Sequence, residues 1–475
     1  MENGQKSERL LAFIREGKAM TRSDKLNLIF QLSIPAILAQ VTTVMMFFID
    51  QAMVGSLGAE ASAACGLVES STWLFSSVAS AASMGFSVQV AHFIGANDFV
   101  KARQVVRHAV LVTAALSLLL MLIAAAISRP LPYWLGGGAD IADDASNYFL
   151  IFTLAAPFFQ FSMLASSLLK CEGNMRVASI MSVVMCVLDV TFNFLLIFPS
   201  REIGLFGIHW WMPGAGLGVP GAALGTGLSF IVGAVLLGWF VFFKSKILAI
   251  GKYREKFVYV SSYLVNALKI GSPMALQSFL MSSAYIVSTI IVAPLGNVAI
   301  AANTFAITAE SLCYMPGYGI GDAATTLVGQ SMGAGRKDLC RSLARLTVFT
   351  GMIVMALMGL VMYVFAPEMM GLMTPVAEIR DLGAQCLRIE AFAEPMFAAS
   401  IVTYSVFVGA GDTFKPAMMN LGSMWLVRLS MAAILAKSYG LRGVWLAMAM
   451  ELSFRGLIFL YRLFRGRWEK GIIKE

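Results

Sequence analysis

Twelve apolar runs, each long enough to cross a lipid bilayer, fill most of this chain and leave it few ways to fold. Read between clusters of charge, Gly and Pro, they cover about 28–53, 62–93, 104–127, 147–169, 177–199, 219–243, 263–293, 299–331, 343–366, 382–409, 416–437 and 440–463. A span needs roughly 20 apolar residues, and in hydrocarbon each backbone polar group must be satisfied within the segment, which at this length means helix. With 58% hydrophobic and 13% charged residues and a mean hydropathy of +0.77, the chain is far too apolar for a soluble domain, whose charged fraction is typically about 25%. The expected fold class is an all-α membrane protein with twelve transmembrane helices.

The second half repeats the first. Pro35 matches Pro273, Leu57-Gly58 matches Leu295-Gly296, Gly95-Ala96 matches Gly333-Ala334, and Arg103 and Arg107 match Arg341 and Arg345, all at an offset of 238, the difference between 35 and 273. Pro157 and Pro395, and Gly173 and Gly411, keep that offset. By Gly221 and Gly443 it has fallen to 222, so the first half carries 16 extra residues, near Arg201 to Gly216 (REIGLFGIHWWMPGAG). Trp210 and Trp211 suit a lipid interface. An interfacial loop is expected there, with partial capping of a cavity the alternative. Six spans per repeat is an even number, so the second half enters from the same side as the first, and two pseudo-symmetric six-helix lobes follow, parallel repeats about an axis along the membrane normal. The expected organisation is a basic, amphipathic N-terminus (1–27), an N-lobe (28–243), a short basic linker (244–262), a C-lobe (263–463) and a tail (464–475). Two lobes rocking about a cavity imply alternating access.

The excess of 35 Lys+Arg over 27 Asp+Glu follows topology and gives no reason to expect nucleic acid, because basic residues are retained in cytoplasmic loops. One side collects Lys6, Arg9, Arg15, Lys18, Arg22 and Lys25, then Lys101, Arg103, Lys170 and Arg176. It continues through the linker (Lys244, Lys246, Lys252, Arg254, Lys256), Arg336, Lys337 and Arg341, and ends with Arg462, Arg465, Arg467 and Lys470. The other side has Arg129, Arg201, Arg380, Lys437 and Arg442. Both termini are therefore expected in the cytoplasm, and the membrane to be the bacterial cytoplasmic (inner) membrane. No cleavable signal peptide is visible. The segment around Leu10, Leu11, Phe13 and Ile14 reads as a helix on the inner membrane surface or as a basic tail. Six cysteines are scattered without C-x-x-C spacing, so neither metal nor disulfide is expected.

Twelve spans in parallel halves would also suit a major facilitator transporter, but the loops GANDFVKAR and GAGRKDLCR fit its loop motif only loosely. Other segments decide it: IPAILAQVTTVMMFFIDQAMVGSLG in span one, VQVAHFIGANDFVKAR ending span two, VLDVTFNFLLIF in span five and TLVGQSMGAGRKD ending span eight, with KCEGN and VGAGDTFKP after spans four and ten. In order and in register, they resemble the multidrug and toxic compound extrusion (MATE) family over nearly the whole chain. The resemblance implies two six-helix lobes around a cavity and export of bulky, often cationic drugs or metabolites, driven by inward H+ or Na+. It implies no cofactor beyond that coupling ion. The expected partners are small-molecule substrates and the bilayer, and the chain is expected to act as a monomer. A lipid-linked saccharide flippase of the same superfamily usually has two more spans and a more basic cavity. A membrane-embedded prenyltransferase needs paired cytoplasmic acidic motifs, whereas Asp143-Asp144 stands alone on the outer side. No Walker motif is present.

An intramembrane carboxylate costs about 2.5–3.5 kcal/mol on insertion scales and marks a functional site by default. Asp50 closes the run TTVMMFFID in span one, where the resemblance places the family's coupling aspartate. Pro35, fifteen residues earlier, lacks a backbone donor and sits where that span can bend. Asp189 and Asn193 lie four apart on one face of span five, the family's usual Asn-then-acid order exchanged. Two carboxylates brought together in low dielectric cannot both ionise cheaply, so a proton or cation is expected between them. Asp50, Asp189 and Asn193 are the expected coupling site, confined to the N-lobe, since the C-lobe lacks the family's seventh- and tenth-span carboxylates. Glu310, Glu390 and Glu394 either bind cationic substrate or pair with Arg388 or Arg428. Gln40, Gln160, Gln277, Glu310 and Glu394 are candidate cavity residues, and Glu451 with Arg455 reads as an internal ion pair. The 30 Met and 33 Phe suit an adaptable apolar pocket, though lipid-facing packing accounts for most of them.

Overall fold

Long apolar segments with polar caps become long helices. The computed structural model describes residues 2–205, 208–253 and 255–469; Arg254 of the linker and residues 470–475 of the tail lie outside them, as does the side chain of Trp210. In chain order the elements are α1 (Glu2–Arg15), α2 (Arg22–Gly55), α3 (Ala59–Gly95), α4 (Phe99–Ile127), α5 (Leu131–Trp134), α6 (Ala139–Glu172), α7 (Met175–Ile197), β1 (Pro199–Leu205), β2 (Ile208–Ala215), α8 (Val219–Trp239), α9 (Ser261–Val292), α10 (Asn297–Gly333), α11 (Lys337–Met373), α12 (Ala377–Ala391), α13 (Glu394–Gly409), α14 (Phe414–Gly422), α15 (Leu429–Tyr439) and α16 (Leu441–Arg465). A π-helical turn, Ser423–Arg428, joins α14 to α15.

The helix starts are written locally. Thr21 and Asp24 form a reciprocal capping box at α2, and Asp98 and Asn174 accept from the first-turn amides of α4 and α7; such caps satisfy donors that would otherwise have no partner. Gly173 ends α6 with φ 97°, a left-handed turn that only glycine adopts freely.

Among the described residues, eleven helices are long and apolar enough to cross a membrane, and α12 with α13 supply the twelfth span as a pair bent by 60°. A single tenth span, 382–409, is thus corrected to a broken one. The break falls at Phe392–Ala393, just before Pro395, which cannot donate to residue 391 and whose ring would strike its carbonyl. Pro157, its partner in the repeat, sits inside an unbroken α6. Neighbouring helices decide whether such a proline breaks its helix. α2 likewise runs as continuous helix through Pro35.

The 16-residue insertion is not a plain loop. β1 and β2 pair antiparallel, Arg201 opposite Met212 and Glu202 opposite Trp211. The hairpin packs on α7, and Trp211 is 69% exposed.

α1 is a helix, but its apolar side is not laid on lipid. Leu10, Leu11 and Ile14 are buried in a cluster with Leu28, Ile29 and Leu32 of α2, Leu327 of α10, and Leu339 and Leu343 of α11, because a groove of protein offers closer packing than a lipid surface. Asn97 donates to the carbonyl of Arg15 at 3.0 Å and Arg336 to that of Phe13 at 2.9 Å, so α1 is tied to both lobes. With Arg341 paired to Glu469, the described ends of the chain share one face of the bundle, called here the terminal face. The hairpin stands at the opposite, far face.

The lobes meet through α2 and α3 on one side and α9 and α10 on the other. The closest approaches use missing side chains: a Cβ on Gly95 would collide with the carbonyl of Gln330, and one on Gly333 with that of His92. The offset of 238 relates these two contacts. Gly85 against Ala267, Gly271 against Ala81 and Gly319 against Ile37 continue the contact. All lie in the terminal half of their helices, so the lobes are closed there.

Candidate functional site: carboxylates within the lobes

Asp50 ends the polar side of α2, and Asp189 with Asn193 face it from α7. The amide nitrogen of Asn193 donates to Asp50 Oδ1 at 2.8 Å and to Asp189 Oδ2 at 3.2 Å. Ser229 of α8 donates to Asp189 Oδ1 at 3.4 Å. Asp189 and Asn193 are fully buried, whereas Asp50 lines a cavity of about 350 Å³ between α2, α3, α6 and α8, with Glu69, Trp73 and Tyr148 on its walls. Gly225 of α8 makes room for the amide, since any Cβ there would collide with Asn193 Oδ1. The three expected residues are therefore brought together, the exchanged Asp/Asn order notwithstanding: either order four residues apart keeps both groups on one helical face. Glu69, which accepts from Gln51 at 3.2 Å and from the Trp73 indole at 3.3 Å, was missed in the sequence. An acid within the apolar run of span two was its signal.

A second cavity of about 850 Å³ opens on the C-lobe side, with Trp73, Ser80 and Met84 of α3 completing its wall. Gln277 and Glu310 line it with Tyr314 and Arg428. Glu390 and Glu394 lie behind its wall, wholly buried, with no hydrogen-bond partner for any of their four carboxyl oxygens among the described residues. Glu394 is thus no cavity residue in this conformation, because the break before Pro395 sets it at the buried start of α13. Pairing with Arg388 or Arg428 is corrected too: Arg388 donates to the carbonyl of Tyr363 at 3.1 Å, and Arg428 reaches the sulfur of Met448 and the ring of Tyr285. Glu451 and Arg455 do pair, at 2.7 Å, both buried.

Gln160 is not on either open volume. It is 2% exposed and closes a narrow crevice between α3, α4 and α6, where its bulky neighbours Phe149, Phe152 and Phe159 exclude solvent. Gln40 does not face the cavity freely either; it donates to Asp322 Oδ2 at 3.1 Å. Asp322, absent from the sequence expectations, lines the C-lobe cavity and also takes Lys170 Nζ at 2.7 Å.

Two repeated bundles of spanning helices, each hollowed around sunken carboxylates and closed against one another at one face, define a membrane transporter. The MatE family model matches residues 35–195 and again 273–434, starting at the two prolines of the repeat, and the chain belongs to that family. It is a MATE-type efflux transporter and not an enzyme. A probable multidrug resistance protein NorM of Thermotoga maritima is 25% identical over 445 residues, covering 93% of each chain. One of Pseudomonas aeruginosa is 27% identical over 442 residues, covering 90% of this chain and 87% of its own. Among solved structures, MATE in complex with MaD3S superposes with a TM-score of 0.86 at 22% identity, over 94% of this chain and 97% of that one. The bent form of the Vibrio cholerae transporter VcmN gives 0.83 at 20%, over 94% and 98%. These structures establish the shared two-lobed fold.

Proposed function

We propose that the protein exports bulky, often cationic drugs or metabolites from the bacterial cytoplasm in exchange for H+ or Na+, by alternating access, as a monomer with both termini inside. The observation that carries this reading is the joining of Asp50 and Asp189 through one amide, with Asp50 on a cavity and Asp189 sealed beneath it. Two acids held this close repel when both are charged, so the cluster takes up a proton or a small cation when it can. α2 carries Asp50 past Pro35, which leaves the carbonyl of Gln31 without its helical donor and makes bending there cheap. Neutralising the cluster changes the cost of moving α2, and the ion shifts the balance of outward- and inward-open states by its difference in affinity for them. The names of the NorM relatives support drugs as the cargo. The C-lobe cavity, with Glu310, Gln277 and its aromatic wall, offers the volume for it.

The test is efflux of ethidium in everted vesicles with pH and Na+ gradients imposed separately. Asp50→Asn and Asp189→Asn are expected to insert and fold but to lose gradient-driven transport, while Glu394→Gln changes at most which compounds are exported. Ion dependence that survives Asp189→Asn and disappears in Glu394→Gln would move the coupling site to the C-lobe.

A further inference from the structure

The terminal-half closure contains matched contacts and, beside them, an ion pair without a match. His92 Nε2 meets the carbonyl of Gly409 at 2.8 Å, and Gln330 donates to the carbonyl of Cys171 at 2.9 Å; the offset of 238 carries each of these pairs onto the other. Nearer the middle of the membrane the equivalence fails. Lys170 Nζ of α6 reaches Asp322 Oδ2 of α10 at 2.7 Å, whereas at the equivalent positions Val408 and Met84 pack in one apolar cluster. The scaffold therefore closes across the same junction with plain hydrocarbon on the other side. A half-buried ion pair is weak evidence of stability, because desolvation offsets its attraction. Its presence on one side of the pseudo-axis calls for another use.

The surroundings point to one. Asp322 belongs to the C-lobe, and both groups that hold it, Lys170 and Gln40, belong to the N-lobe. Both bind Oδ2, and among the described residues no hydrogen bond is made to Oδ1, while the side chain borders the 850 Å³ cavity. Thr326, one turn on, donates to the carbonyl of Lys170 at 2.8 Å, so α10 grips the end of α6 whenever the lobes meet. Parting the lobes at the terminal face must carry Lys170 and Gln40 away and leave the Asp322 carboxylate facing the cavity alone.

We infer that Asp322 holds the cationic group of the substrate while the terminal face is open, and that Lys170 is the internal cation that displaces it when that face closes. Loading and release are then two occupancies of one carboxylate, and closure itself lowers the affinity for a cation. This rests on the export reading above and adds to it the residue that meets the charge.

Binding of ethidium to the purified protein, with efflux kinetics in vesicles, tests it. Asp322→Asn is expected to weaken ethidium binding tenfold or more. Lys170→Met is expected to tighten it at least fivefold and to lower kcat, because the dye is no longer expelled. A pair that merely latches the lobes predicts the same direction of change for both variants, and that result, or no change in either, overturns the inference. Asp322→Ser and Lys170→Gln carry the same opposed expectations should the first pair not fold. Wild-type protein that binds no ethidium overturns the export reading and this assignment together; wild-type binding with parallel variants overturns the assignment alone.

Discussion

One amide nitrogen has two hydrogens, and in Asn193 each is given to a different aspartate. That economy makes the residue the least replaceable of the cluster, because no other side chain of its length offers two donors and no positive charge. Asn193→Asp is expected to keep the helix and its packing but to place a third acid between two others, and Gly225→Ala to push the amide out of reach by contact alone. Transport assays alongside thermal melts will separate these effects: both variants should lose activity, with only Gly225→Ala costing stability. Glu451 and Arg455 invite a different experiment. Removing one member of a buried pair costs about 3–5 kcal/mol, far more than replacing both with apolar residues. Arg455→Ala should therefore melt well below the double variant Glu451→Leu, Arg455→Met. Asp50, Asp189 and Asn193 were legible because charge is conspicuous in an apolar run and helical spacing is fixed. Asp322 was equally visible as an acid in span eight, and its lack of a repeat counterpart at Met84 was the signal to use. Gln160 shows the limit: an amide inside a span looks the same in sequence whether it faces a cavity or three phenylalanines.

At the scale of elements, α1 does more than cover a face. It touches both lobes and buries Leu10, Leu11 and Ile14 among residues of each, so it favours the conformation in which the terminal face is shut. Truncating a buried Leu or Ile to Ala costs about 2–5 kcal/mol. Leu11→Ala with Ile14→Ala is expected to raise the population open at the terminal face, seen as faster maleimide labelling of a cysteine placed at Ala334. Unchanged labelling would reduce α1 to packing. Span limits were readable to within several residues, since hydropathy changes sharply where caps begin. The bend in span ten was not: Pro157 and Pro395 are the same signal, and only the partners of the two helices separate an unbroken helix from a broken one. The hairpin was hidden for a related reason, because sixteen residues of mixed polarity carry no helical period.

For the whole molecule, orientation is the open quantity that a labelling experiment fixes. With Cys65 and Cys186, the half-exposed thiols, changed to Ser, a cysteine at Trp211 should react with an impermeant maleimide in intact cells. One at Lys252 should react only after the membrane is opened. The reverse pattern would invert the direction of transport. The reciprocal glycine contacts also bear on origin. Before the two halves were fused, a lobe of this kind had to associate with a copy of itself, and a two-fold dimer can hold the Gly95 contact only together with its mate at Gly333. Such a dimer would carry the Lys–Asp bridge twice or not at all. The asymmetry, a bridge on one side and Met84 with Val408 on the other, therefore arose only once the halves were encoded separately and free to mutate apart. Fusion let a protein that began as two equal gates keep one of them charged.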